Sequence, residues 1–66
     1  MTIHLNGAER DVPDSCTVLD LLVLLDSDRP GVAVAVDGRV IPRSQHGTTP
    51  LQTGARVEVI RAVGGG

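Results

Sequence analysis

The 66-residue chain contains no phenylalanine, tyrosine or tryptophan. Its core must therefore be built from aliphatic side chains, and no aromatic platform exists for stacking on bases or sugars. Lysine is absent as well, which removes Schiff-base chemistry and any lysine acceptor for joining the chain to itself. The single cysteine, Cys16, has no partner for an internal disulfide. No apolar run approaches the length of a signal sequence or membrane span, so a cytoplasmic protein without membrane contact is expected. The six basic residues are all arginines, at 10, 29, 39, 43, 56 and 61, under a net charge of −2. That scatter offers no basic patch for nucleic acid. A domain this short buries only about 60% of the surface its unfolded chain exposes, so few apolar side chains can be spared to line an enclosed substrate pocket.

What is present falls into a clear order. Met1 to Leu5 alternates apolar and polar residues and runs into Asn6-Gly7, a two-residue hairpin turn, with a return strand over about Glu9 to Pro13. Pro13, Asp14 and Ser15 break that pattern. Thr17 then opens a helix through Leu25 as N-cap, with Asp20 three residues on in a variant capping box. Val18, Leu21, Leu22 and Leu25 make an apolar stripe that fits a sheet. Pro30-Gly31 ends this segment, and Val32 to Val36 is β-branched at every second position. Asp37-Gly38 turns the chain into a short strand, Arg39 to Ile41, which Pro42 stops. Residues 42–55 read as a loop with room for one helical turn, and Arg56 to Ala62 is the last strand. The order ββαβββ predicts an α+β domain over residues 1–63, a mixed sheet of four to five strands on one helix. That is the β-grasp order of ubiquitin-like proteins.

The last strand leads straight into Gly64-Gly65-Gly66. Glycine loses the most backbone entropy on ordering, so residues 64–66 are expected to form a flexible tail. Extended, Val63 to Gly66 would reach about 13–14 Å. A segment without Cβ atoms can pass a narrow channel and present only a carboxylate at its tip, the one group here that ATP could usefully activate.

The chain resembles the ThiS family of sulfur carriers of thiamine biosynthesis and, more distantly, the small subunit of molybdopterin synthase. The matching stretches are Ile3-His-Leu-Asn-Gly7, Thr17-Val-Leu-Asp-Leu-Leu22, Val34-Ala-Val-Asp-Gly-Arg-Val-Ile-Pro-Arg43 and the strand ending in Gly65-Gly66. They cover essentially the whole length. Two positions depart from the pattern: His46 stands where the family often has an aromatic residue, and Gly64 stands where Ala or Gln is common. The resemblance implies that a ubiquitin-activating-type (ThiF-like) adenylyltransferase activates the Gly66 carboxylate with ATP. A sulfur donor enzyme then makes it a thiocarboxylate, and a ThiG-like thiazole synthase consumes the sulfur. Gly64 and Gly65 would serve tail recognition. On that reading the chain is a protein cosubstrate, monomeric when alone, with no catalytic residue and no cofactor of its own. A different thiocarboxylate carrier, an interaction module with an inert tail, and an isopeptide-forming modifier are the alternatives.

Side chains offer little competing chemistry. Cys16 precedes the helix N-terminus, where a thiolate is favoured, but a lone cysteine is usually an inert filler. His4 and His46 lack ligand-spaced partners, so no metal site is expected. The aspartate pairs Asp11/Asp14 and Asp26/Asp28 read as turn residues. Strand alternation is more informative: with Val57 and Val59 turned toward the helix, Ile60, Ala62, Ala33 and Ala35 form an outward apolar patch, expected to be rimmed by Arg39 and Arg61. Ubiquitin-like proteins dock through this face, which makes it the predicted partner surface.

Overall fold

The computed structural model describes residues 1–61. Strands β1 (Thr2–Leu5) and β2 (Ala8–Asp11) are followed by helix α1 (Val18–Leu24). Strands β3 (Val32–Val36) and β4 (Arg39–Ile41), a 3-10 helix (Arg43–Thr48) and strand β5 (Arg56–Arg61) complete the order. The five strands form one sheet in the order β2-β1-β5-β3-β4. β5, the last strand, therefore lies in the middle, parallel to β1 and antiparallel to β3. This mixed sheet with a single helix is the ubiquitin-like β-grasp arrangement that the order ββαβββ predicts.

Local chemistry sets each boundary. Asn6 and Gly7 have φ of 50° and 84°, and Asp37 and Gly38 have 51° and 82°. These are the paired positive values of type I′ turns, whose twist matches that of the strands they join. Such a tight turn puts Ala8 opposite Leu5 as the first rung of the return strand. β2 therefore starts one residue before the position expected from sequence and ends at Asp11. Thr17 caps α1 through a full capping box: the Asp20 N–H donates to Thr17 Oγ1 at 3.1 Å, and the Thr17 N–H donates to Asp20 Oδ2 at 3.0 Å. Aspartate thus closes the box where glutamate is usual.

Ile3, Val18, Leu21, Leu22, Val34 and Val57 are almost wholly buried and form the centre of the core. Leu25 packs at its margin, so the predicted helical stripe is the buried one. The segment after the 3-10 helix is laced to the start of α1, where the Val18 N–H donates to the Thr49 carbonyl and the Leu51 N–H to that of Cys16. Among the described residues, no helix is long and apolar enough to cross a membrane.

Candidate functional site: the outer sheet face and the end of the central strand

Pairing across β3, β4 and β5 decides which side chains share the face opposite the helix. Ala33 lies opposite Ile60, while Ala35 lies opposite Glu58 on one side and Val40 on the other. Val57 and Val34 are buried toward α1, so alternation sends Ile60, Ala33 and Ala35 outward, as predicted. Ile60 is 57% exposed and Val40 69%. The structure adds Val40 to the patch, because the two-residue Asp37-Gly38 turn sets it opposite Ala35. Ala62 and Gly64, Gly65 and Gly66 lie outside the described residues.

The arginine rim is a correction. Arg61 lies opposite Val32 and Arg39 opposite Val36, and both valines pack against the core. Arg61 follows Ile60 and Arg39 precedes Val40, so a period of two places both arginines on the helix side of the sheet. The polar neighbours on the outer face are instead Glu58, Arg56 and His4, with Glu9 opposite His4. Arg61 turns inward to a definite partner, its Nη2 donating to Ser27 Oγ. Ser27 is itself buried just beyond α1.

Both hairpin turns reach β5. The Arg56 N–H, at its start, donates to Asp37 Oδ1 at 2.9 Å. The Val59 N–H, toward its end, donates to Asn6 Oδ1 at 2.9 Å, and Asn6 Nδ2 donates to the Val59 carbonyl at 3.4 Å. The sequence shows these residues only as turn formers. The available signal was the choice of Asn and Asp where glycine would also satisfy the backbone.

The remaining candidates are placed without forming a reactive cluster. Burial pushes the Cys16 thiol above its ordinary value, and the nearby Asp20 carboxylate adds to the rise. The thiol is thus held in its less reactive form. His46, read from sequence as a loop residue, is buried in the 3-10 helix, where its Nε2 lies 3.0 Å from the Ile41 carbonyl. A carbonyl can only accept, so Nε2 carries the proton. The ring is thus buried in a chain that has no Phe, Tyr or Trp. Asp11 accepts from Thr2 Oγ1, and Asp26 pairs with Arg29 at 3.2 Å on the surface. Among the described residues, no group of three His, Cys, Asp or Glu side chains is placed to hold a metal ion.

The family model described as ThiS family matches residues 3–66. The chain belongs to the ThiS family. Among solved structures, a crystal structure of the thiamine biosynthesis protein ThiS from Geobacter metallireducens superposes with a TM-score of 0.85, at 30% identity over all of both chains. A solution structure of a thiamine biosynthesis protein from the same organism gives 0.82, also at 30% identity, over all of this chain and 88% of the other. A thiazole synthase from Paramagnetospirillum magneticum is 33% identical over 66 residues. The chain spans 20% of the length of that curated relative.

Proposed function

We propose that this ThiS-family chain is a sulfur carrier for thiazole formation in thiamine biosynthesis, working in the cytoplasm through its terminal carboxylate. The observation that carries this reading is that the family match runs through Gly66 itself. The strand before it is the sheet's central one, so a partner that grips the sheet also aims the terminus. In the first step a Gly66 carboxylate oxygen attacks the α-phosphorus of ATP on a ThiF-like adenylyltransferase and pyrophosphate leaves. A sulfur donor enzyme then supplies sulfur at the oxidation level of hydrosulfide. That sulfur adds to the acyl carbon, AMP departs with the original oxygen, and a terminal thiocarboxylate remains. Adenylation is needed because a carboxylate oxygen is a very poor leaving group, whereas AMP is a good one. A thiocarboxylate is in turn the stronger nucleophile toward a thiazole precursor.

The catalytic groups on this reading belong to the partners, and the chain is a cosubstrate rather than an enzyme. The likeness to a thiazole synthase favours the thiazole branch over a molybdopterin-type carrier and supports a ThiG-like enzyme as the acceptor of sulfur. Ile60, Ala33, Ala35 and Val40 form the surface proposed to meet a partner, since an apolar patch at the root of the working terminus couples docking to delivery.

Intact-mass spectrometry of protein purified from its own cells tests the reading. Exchange of one terminal oxygen for sulfur adds about 16 Da, and C-terminal peptide analysis separates it from oxidation of Met1 or Cys16. A mass shift confined to the Gly66 peptide is expected. Attachment of Gly66 to a lysine of another protein would instead identify an isopeptide-forming modifier.

A further inference from the structure

β5 outruns its parallel neighbour. β1 pairs with it at His4–Arg56 and Leu5–Val57 only, after which the Asn6-Gly7 turn carries the chain away to β2. The Asp37 N–H donates to the Arg56 carbonyl. Alternation then points the peptide groups of residues 56, 58 and 60 toward β3, and those of Val57, Val59 and Arg61 toward the β1 side. The Asn6 N–H donates to the Val57 carbonyl at 2.9 Å as the final backbone rung. One rung further, the Asn6 carboxamide accepts from the Val59 N–H and donates to the Val59 carbonyl. A side chain thus supplies the donor and acceptor that β1 would have offered had it continued.

The end of β5 is held from the helix side as well. Arg61 donates to Ser27 Oγ, which donates to the Leu25 carbonyl at 3.1 Å, while the Ser27 N–H donates to the Leu22 carbonyl at 2.8 Å. The hydroxyl is 2% exposed with its residue and tied to the end of α1 on both counts. The turn alone does not demand asparagine, because Asp or Gly also accepts a φ near 50°. Of the three, only Asn brings both a donor and an acceptor.

We propose that Asn6 and Ser27 are positioning residues that fix the direction in which β5 hands the terminal carboxylate to the adenylating enzyme, an inference that rests on the carrier reading above. The five residues beyond Arg61 can span no more than about 18 Å, so a small change of angle at Val59 or Arg61 displaces the carboxylate by ångströms. Misplacement on that scale costs rate rather than affinity as long as the patch itself stays in place, and Ile60 is held there by its own pairing with Ala33.

The test is steady-state formation of the acyl adenylate by a ThiF-like enzyme with ATP, using wild type, Asn6→Gly, Asn6→Asp and Ser27→Ala, beside melting curves and amide hydrogen exchange at Val59. Asn6→Gly preserves the turn and removes the carboxamide; Asn6→Asp preserves the turn and replaces the donor by an anion facing the Val59 carbonyl. Expected are a kcat lower by about tenfold, an unchanged KM for the carrier, and faster exchange of the Val59 amide in both Asn6 variants. Ser27→Ala lowers kcat in the same sense. A kcat within twofold of wild type in the folded variants, or a loss carried by KM, overturns the proposal. So does unfolding of both Asn6 variants, which would make Asn6 a stability residue. If wild type itself forms no adenylate, the carrier reading fails; if wild type reacts and the variants match it, only the positioning role fails.

Discussion

The two hairpins end in turns of the same type, Asn6-Gly7 and Asp37-Gly38, yet their first residues treat β5 differently. Asp37 takes one N–H at the start of the strand, where β1 flanks Arg56 but β3 has ended at Val36, and the Asp37 backbone N–H already donates to the Arg56 carbonyl. Asn6 takes an N–H and a carbonyl near the end, where β1 has turned away. A carboxylate has no donor and can satisfy only half of a peptide group, whereas a carboxamide satisfies both halves. The choice between two residues that a turn accepts equally is thus set by what the turn's own backbone leaves unmet: only the Arg56 N–H at Asp37, but both the N–H and the carbonyl of Val59 at Asn6. Each end of β5 has lost one neighbour, β3 at Arg56 and β1 at Val59, and the second of these ends leads to Gly66.

That contrast can be broken most severely at the terminus. Deleting Gly65 and Gly66 should abolish thiocarboxylate formation, because no carboxylate remains at the position the partners are proposed to use. Among the described residues the core closes around Ile3, Val18, Leu21, Leu22, Val34 and Val57, so the melting temperature should stay within a degree or two, about the effect of a few tenths of a kcal/mol. A large fall in melting temperature would show that the glycines help hold the domain.

The next largest effect belongs to the outer face. Ile60→Asp should weaken binding to the adenylating enzyme by about 2 kcal/mol or more, since a charge would be buried there without a partner. The isolated domain should tolerate the change because the side chain is 57% exposed. Calorimetric titration beside a melting curve separates the two; unchanged affinity would remove the patch as a docking surface.

Asp37→Gly sharpens the comparison directly. It keeps the turn and removes one charge-assisted hydrogen bond on an exposed surface, so a loss of about 1 kcal/mol in stability is expected from urea unfolding. The kcat for adenylation should not change, because the affected end of β5 points away from the terminus. A fall in kcat equal to that of Asn6→Gly would erase the distinction between the two ends.

The smallest effect is a matter of pH. The folded-state value of Cys16 is raised, chiefly by burial, from an ordinary 9.0. The unfolded chain therefore loses the thiol proton first, and folded-state stability declines as pH rises above about 9. Cys16→Ala should flatten that decline in alkaline unfolding curves, whereas an unaltered slope would assign the loss to other groups.

How much of this was legible in the sequence divides along physical lines. Features set within a few residues were readable: both Asx-Gly turns, the capping box at Thr17 and the stripe Val18, Leu21, Leu22 and Leu25. The outward direction of Ile60 and Ala33 followed from alternation, but the same rule, carried one residue further, would have turned Arg61 inward. Its partner Ser27 lies 34 positions away in the chain, and no local pattern links them. His46 was missed for a related reason. Whether a ring in an irregular segment is buried depends on what α1 and the end of β4 leave unfilled. The parallel pairing of β1 with β5 joins the two ends of the domain and is likewise set by the whole core.

That pairing has a mechanical consequence. The first and last strands lie side by side and parallel, so a pull on the C-terminal end against the N-terminal end loads the rungs between them in shear. The rungs then share the load rather than opening one after another as in a peeled hairpin. A partner that draws the terminus into its active site can thus tug along β5 without stripping the strand from the sheet.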